Sequence, residues 1–131
     1  MSKRNVLKII FTWLLAIIWG GLIFYLSSVS DFSVATGTAK RSNFLSGIIH
    51  VLLYIILSFL LIRALLTSGL SRGRAFLFGF LVASLYGISD EWHQSFVPSR
   101  EARVTDWLLD VAGAYLTLSC YTYKYKYRRR Q

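Results

Sequence analysis

The chain has 131 residues, of which 55% are hydrophobic and only 16% are charged, and its formal net charge is +9. This composition is too apolar for an ordinary soluble domain and favours a membrane protein with a single domain spanning residues 1–131. The single cysteine, Cys120, excludes an internal disulfide and a metal site built from several thiolates.

Two long charge-free segments predict the first two membrane-spanning helices. The first covers residues 9–30, and the second covers residues 42–62 and contains only His50 as a potentially charged group. At 1.5 Å per residue, each can cross a hydrocarbon core of roughly 30 Å. The first segment follows several cations, as in a signal peptide, but it is longer than the apolar part of such a peptide, which favours an uncleaved span. We therefore expect helices at about residues 6–29 and 44–66.

Two shorter apolar segments predict the third and fourth helices. The charge-free stretches 75–89 and 111–123 would be marginal spans by themselves. They reach full length, at about residues 74–93 and 105–123, only if they include the carboxylates that flank them. Five of the six acidic residues lie in this part of the chain, so these acids must be solvated or paired. The predicted fold is all-α, with four transmembrane helices.

The distribution of lysine and arginine predicts the orientation of these helices. With a cytoplasmic N-terminus, eleven of the fifteen basic residues fall on the inner side, and the acidic residues fall on the outer side or at the outer ends of helices. Both termini are then cytoplasmic, and the protein is a multi-pass protein of the cell membrane.

The C-terminal sequence YTYKYKYRRRQ interleaves aromatic and basic residues, as some single-strand nucleic-acid binders do. Interfacial tyrosines followed by cytoplasmic cations that meet anionic lipid headgroups explain the same pattern more simply. We therefore expect a membrane surface, and no nucleic acid, as the partner of this segment.

Helical spacing places polar side chains of three helices at the outer end of one bundle. The stripes are Gly47, His50, Tyr54, Ser58 and Leu61 on the second helix, Gly79, Ala83, Tyr86 or Gly87, Asp90 and Gln94 on the third, and Asp106, Asp110 and Gly113 on the fourth. The small residues suit close packing inside the bundle or between copies, which leaves the oligomeric state open. Asp110 is the least expected member, because a carboxylate one turn inside a spanning helix is costly and is by default a functional-site candidate.

Each of these groups also has a purely structural interpretation. His50 taken alone could be a hydrogen-bonded core residue. Asp106 could cap the N-terminus of the fourth helix, or the helix dipole could stabilise its negative charge there, although Thr105 is an alternative capping residue. Pro98 shapes a turn, and Arg100 and Arg103 follow it. These arginines could hold an anion by paired hydrogen bonds, or they could pair with Asp106, Glu91 or Glu101 and neutralise the local charge.

The stretch SDEWHQSFVPSREARVTDWLLDVAGAYL resembles the signature of the VanZ-like family, small membrane proteins whose namesake is associated with glycopeptide resistance, especially to teicoplanin. The matching positions are Asp90, Glu91, Gln94, Phe96, Pro98, Arg100, Asp106, Asp110 and Gly113. FYLSSVS and HVLLYIIL resemble the family's Ser-Ser exit and its His-x-x-x-Tyr helix, so the resemblance covers nearly the whole chain. It implies a four-helix membrane protein and does not specify a mechanism.

This sequence departs from the family pattern in two places. Residues 46–48 lack the lysine that often precedes the histidine, and Lys40 or Arg41 could substitute for it from the loop. Asp110 stands where the family often has asparagine.

The leading hypothesis is an outward-facing pocket that handles the polar headgroup of a membrane lipid or a lipid-linked cell-wall precursor. The candidate residues are Glu91, Asp106 and His50 for acid–base chemistry, and Tyr54, Asp90, Gln94, Arg100 and Asp110 for substrate binding. Carboxylates and imidazoles are the usual proton-exchanging groups of enzymes. There is no Ser-His-Asp or Cys-His signature that would specify the reaction.

Three further hypotheses stay open beside this one. A divalent cation shared by Glu91, Asp106 and Asp110 would explain several acids in a short stretch, since hard cations prefer oxygen ligands. The network could instead only lock the bundle, or recognise an antibiotic or wall precursor without turnover. Proton-coupled transport is the third, although four helices leave little room for alternating access in a monomer.

Overall fold

The computed structural model describes residues 3–29, 43–98, 100 and 102–128, and these form four helices. The helices are α1 (Lys3–Ser28), α2 (Asn43–Thr67), α3 (Arg72–Gln94) and α4 (Val104–Arg128). These ranges contain no strand, so the predictions of an all-α fold and of four helices are confirmed. The positions of Lys40, Arg41 and Glu101, which sequence reasoning invoked as a substitute cation and an ion-pair partner, lie outside the described ranges.

The ends of α4 differ from expectation at both termini. The helix begins at Val104, so Asp106 lies in its first turn and is not the capping residue. A carboxylate there still meets the positive end of the helix dipole. At the other end, α4 continues past Tyr123 to Arg128, because this segment has no glycine or proline to stop it and cations favour a helix C-terminus.

Three of the helices form the centre of the bundle. α2, α3 and α4 all contact one another, whereas α1 packs against α2 and, less extensively, against α3. In the described part of the chain, α1 does not pack against α4. The ends of α1 and α3 and the beginnings of α2 and α4 come together at one end of the bundle, which we call the site end.

The turn between α2 and α3 reverses the chain at the opposite end. The N–H of Gly69 donates to Leu66 and that of Leu70 donates to Leu65, both through carbonyl oxygens of the last turn of α2. Gly69 has a φ of 90°, a left-handed conformation that glycine adopts without the steric cost of a Cβ. This helix-ending motif makes α3 run antiparallel to α2.

Small residues of the predicted stripes lie inside the bundle. A Cβ on Gly79 would lie 2.5 Å from Cγ1 of Ile62, and one on Gly113 would collide with the backbone carbonyl of Val51. Ala83 is completely buried. These residues let α3 and α4 approach α2 closely, so the stripes serve packing within the chain.

Among the residues that the structure describes, two helices are long and apolar enough to cross a membrane, α1 over Lys3–Ser28 and α2 over Ser46–Thr67. Large apolar side chains are exposed on every helix, for example Ile18 on α1, Leu52 on α2, Leu85 on α3 and Leu116 on α4. Such extensive exposed apolar surface is unusual for a soluble monomer and is expected of a surface that faces lipid.

Candidate functional site

Three titratable side chains from three different helices meet at the site end. His50 lies near the beginning of α2, Glu91 near the end of α3 and Asp110 near the beginning of α4. Each offers a nitrogen or oxygen atom suited to ligand binding, and these atoms lie within 4.8 Å of one another. We call these three residues the His–carboxylate cluster. It occupies the part of the bundle where α2, α3 and α4 pack together.

The closest contact in the cluster joins His50 and Asp110. Nδ1 of the imidazole and Oδ1 of the carboxylate form a hydrogen bond of 2.9 Å. The Asp110 side chain is completely buried, whereas 12% of the His50 side chain is exposed. Because the hydrogen bond occupies Nδ1, the imidazole has a fixed orientation and its Nε2 is the atom left for other partners.

Most buried polar atoms in proteins have a hydrogen-bond partner, and the second carboxylate oxygen of Asp110 is an exception. Oδ2 is buried and has no hydrogen-bond partner within the described ranges. An unpartnered buried acceptor costs about 1–3 kcal/mol, and more when it is charged. Helix packing alone gives no reason to keep such an atom, so Asp110 is the residue of the cluster that most requires a further partner.

Glu91 connects the cluster to the segment between α3 and α4. Its Oε2 accepts a hydrogen bond of 2.8 Å from the backbone N–H of Arg103. Its Oε1 is 3.5 Å from the amide nitrogen of Gln94, a long contact that leaves this oxygen weakly held. Only 7% of Glu91 is exposed. The carboxylate is thus anchored through one oxygen and presents the other to its surroundings.

Asp90 and Gln94 lie beside the cluster and hold α1 in place. Asp90 accepts a 2.6 Å hydrogen bond from the hydroxyl of Ser27 on α1 and a 2.9 Å hydrogen bond from the Gln94 amide. Both oxygens of this buried carboxylate are therefore satisfied. The Gln94 amide also faces Glu91, so it links the Asp90 network to the cluster.

Arg100 has a different set of partners from either of those expected from the sequence. Its guanidinium donates to the backbone carbonyl of Leu26 at 2.8 Å and, through two nitrogens, to that of Val29 at 3.2 and 3.0 Å. These carbonyls lie at the C-terminal end of α1, where they lack partners within the helix and carry partial negative charge. Arg100 therefore fastens the segment after α3 to the end of α1.

Tyr54 and Ser58 continue the polar stripe of α2 away from the cluster. Both are completely buried. The Tyr54 hydroxyl and the Ser58 Oγ have no hydrogen-bond partner among the residues that the structure describes. The predicted stripe is confirmed as an inward-facing one, and its polar atoms lie in the interior of the bundle one and two turns beyond His50.

Asp106 is half-buried, one turn before Asp110. It is not a member of the group of ligand atoms that meet within 4.8 Å. The structure thus brings His50, rather than Asp106, to Glu91 and Asp110. The i, i+4 spacing places Asp106 and Asp110 on one face of α4, but only Asp110 is completely buried.

Comparison with known proteins assigns the chain to a family. The VanZ/LLP1 family model matches residues 11–125. The chain belongs to the VanZ/LLP1 family. The resemblance seen in the sequence is confirmed, and the matched range includes all three members of the His–carboxylate cluster. No curated protein and no solved structure matches the chain. With two helices capable of crossing a membrane, family membership indicates that this VanZ/LLP1 protein is a membrane protein.

Sequence reasoning missed two contacts that α1 contributes to the site end of this VanZ/LLP1 protein. Ser27 binds Asp90, and the hydroxyl of Ser28 lies 2.9 Å from Nε2 of His93, whose ring stacks on Phe24. The Ser-Ser pair at the end of the first apolar segment was the available signal. The sequence does not indicate which neighbours two hydroxyls at the end of a helix will contact. The packing of α1 on α3 identifies these neighbours as Asp90 and His93.

Proposed function

We propose that this VanZ/LLP1 protein crosses the membrane four times and binds the polar headgroup of a membrane lipid or a lipid-linked cell-wall precursor at the His–carboxylate cluster. One observation carries the proposal: an imidazole and two carboxylates from three helices converge within 4.8 Å at one end of an apolar bundle. A titratable cluster that is costly to place in a membrane protein is by default a functional site. Its position at the end of the bundle suits a ligand whose polar part lies at the membrane surface.

The proposal of four spans rests on the outer surfaces of the two less apolar helices. α3 exposes Leu81, Leu85 and Ile88, and α4 exposes Leu108 and Leu116. These side chains would contact lipid if both helices cross the membrane beside α1 and α2. Their acidic residues are compatible with that placement because Asp90, Glu91 and Asp110 are buried against other helices.

The proposed orientation places the site end outside the cell. The basic residues that flank the α2–α3 turn and the end of α4 lie together at the opposite end, where the Arg72 guanidinium lies 4.9 Å from the centroid of the Tyr125 ring. Clusters of lysine and arginine stay on the cytoplasmic side. The His–carboxylate cluster would then meet ligands in the outer leaflet.

The hydrogen bond between His50 and Asp110 supports a specific chemical role for the imidazole. Because Asp110 accepts the hydrogen bond from Nδ1, Nε2 would be free to accept a proton from a hydroxyl or amine of the headgroup. Glu91 would accept a second hydrogen bond from the headgroup. Orientation of an imidazole by a buried carboxylate is a common basis for general base catalysis. The same arrangement binds a headgroup without turnover when no reactive bond lies next to His50.

The two histidines of the chain allow a matched test of this proposal. His50 belongs to the cluster, whereas His93 contacts Ser28 and Phe24 on α1. We expect native mass spectrometry of the protein purified in mild detergent to show a retained lipid with wild type and with His93→Gln. His50→Gln and Asp110→Asn should lose that lipid. Retention of the same lipids by all four proteins would contradict the proposal.

Analysis of total lipids from the same cells separates an enzyme from a binder. A headgroup altered in cells with wild type and His93→Gln, but not with His50→Gln, indicates an enzyme. Retention of an unaltered lipid indicates a binder.

For the proposed link to resistance, the wild-type chain in a susceptible bacterial host should raise the minimum inhibitory concentration of teicoplanin, and His50→Gln should not.

A further inference from the structure

We infer that the His–carboxylate cluster binds one divalent transition-metal ion through His50, Glu91 and Asp110. These residues supply one nitrogen and two oxygen ligands, a set that suits ions such as Zn²⁺. The inference deepens the proposed function and rests on the same site, but metal binding is measured on the protein alone. The set differs from the oxygen-only set of Glu91, Asp106 and Asp110 suggested by sequence, because the imidazole takes the place of Asp106.

The distances within the cluster are compatible with a shared ion. The three ligand atoms lie within 4.8 Å of one another, while two metal–ligand bonds of about 2.1 Å span at most about 4.2 Å. The excess is at most about 0.6 Å, which small rotations of the Glu91 and His50 side chains would close. The ion would replace the proton between Nδ1 of His50 and Oδ1 of Asp110, which are already only 2.9 Å apart. Nε2 would then carry the imidazole proton, so in the metal-bound protein it would donate a hydrogen bond to the headgroup instead of accepting a proton.

The unpartnered oxygen of Asp110 is an independent observation that points to a ligand. Oδ2 belongs to a completely buried side chain and has no hydrogen-bond partner in the described part of the chain. A bound cation would compensate this carboxylate, and bidentate coordination would use both of its oxygens. Asp90 provides the contrast, because its two oxygens are satisfied by Ser27 and Gln94.

A metal ion would also remove an electrostatic conflict in the proposed function. A headgroup that contains phosphate would meet two carboxylates, Glu91 and Asp110, and like charges at short range repel. The guanidinium of Arg100, one of the two cations that the sequence suggested for an anion, donates to carbonyls of α1. A divalent ion held by three protein ligands keeps coordination positions open for phosphate oxygens and reverses the local sign of the charge.

Equilibrium dialysis against Zn²⁺ tests the inference, with the protein purified in detergent, treated with a chelator and carrying a tag without histidine. We expect about one Zn²⁺ per chain for wild type, measured by elemental mass spectrometry. His50→Ala, Glu91→Gln and Asp110→Asn should each weaken binding by at least about tenfold, since even residues that only support metal ligands have effects of that size. His93→Ala and Asp106→Asn should bind as wild type does.

Thermal unfolding provides a second readout that does not depend on comparing the folding of variants. Zn²⁺ should raise the unfolding temperature of wild type and of His93→Ala, because an ion that binds only the folded state stabilises it. Zn²⁺ should leave the unfolding temperature of His50→Ala unchanged. Absence of bound Zn²⁺ in wild type, or equal binding by all variants, would overturn the inference. So would binding that a modest excess of Mg²⁺ abolishes, since a site with an imidazole ligand should prefer Zn²⁺.

The two proposals can fail separately. Lipid retention that depends on His50 in a protein that binds no Zn²⁺ would overturn the metal site and leave the headgroup function in place. Zn²⁺ binding that depends on the cluster, in a protein that retains no lipid and alters none, would overturn the headgroup function and leave the metal site.

Discussion

At the scale of single residues, the two adjacent acids Asp90 and Glu91 have different surroundings. Asp90 faces α1 and receives hydrogen bonds from Ser27 and Gln94, and only 3% of it is exposed. Glu91 faces α2 and α4 and is held at one oxygen by the backbone N–H of Arg103. Neighbours in a helix point about 100° apart, so one acid stabilises the bundle and the other joins the candidate site.

Ser27→Ala should destabilise the protein by removing the hydroxyl that donates to Asp90. A hydrogen bond to a charged group contributes about 1.5–3 kcal/mol to the free energy of unfolding. We expect a loss of that size, measured by reversible unfolding in detergent micelles.

Ser89→Ala is the matched control for this prediction. Ser89 is exposed, and its hydroxyl donates to the carbonyl of Tyr86 within its own helix, so the change should stay within about 0.5 kcal/mol. Equal effects of the two substitutions would mean that the Ser27–Asp90 contact does not stabilise the bundle.

At the scale of helices, the approach of α4 to α2 brings Asp110 to His50. Gly113 follows Asp110 by about one turn on the same face, and the backbone of α2 at Val51 occupies the space that a Cβ would need. The Thr117 hydroxyl donates to the carbonyl of Ile55 one turn further along this contact. Because Gly113 has no side chain, α4 can lie close to α2, and this close packing sets the distance between Asp110 and His50 although Gly113 does not contact the cluster.

Gly113→Ala should push α4 away from α2 and lengthen the contact between His50 and Asp110. Overpacking of this kind costs about 1–3 kcal/mol, and the affinity for Zn²⁺ should fall together with the unfolding temperature. Gly21→Ala is the control, because a Cβ at Gly21 would meet no atom within 4 Å and alanine favours helix. A Gly113→Ala protein as stable as Gly21→Ala would contradict the proposed role of the close approach.

At the scale of the whole molecule, polar and apolar groups are separated along and around the bundle. The His–carboxylate cluster occupies one end, Arg72 and Tyr125 meet at the other, and apolar side chains cover the outside of all four helices. A membrane is the environment in which this distribution is stable, because the apolar surface avoids water while both ends remain hydrated.

Cysteine labelling in cells tests the proposed orientation and the membrane crossing by α3. Cys120→Ser provides a background without cysteine, and single cysteines are introduced by Ser71→Cys before α3 and Ala102→Cys before α4; both positions are exposed. A membrane-impermeant maleimide should label Ala102→Cys in intact cells and Ser71→Cys only after permeabilisation. The reverse pattern would mean that the protein has the opposite orientation. Labelling of both cysteine variants in intact cells would exclude a membrane crossing by α3.

Charge-free length predicted four helices, and three- to four-residue spacing predicted the packing faces of α2, α3 and α4, because both are properties of a single segment of the chain. Asp110 could be singled out in this way, since a carboxylate one turn inside an apolar helix can be recognised from the sequence of that helix alone. Three contacts could be found only in the folded protein: His50 meets Asp110 and Glu91 while Asp106 stays outside the cluster, Ser27 donates to Asp90, and Arg100 binds the end of α1. These pairings depend on how far each helix is shifted and rotated against the next, which side-chain packing between distant segments sets.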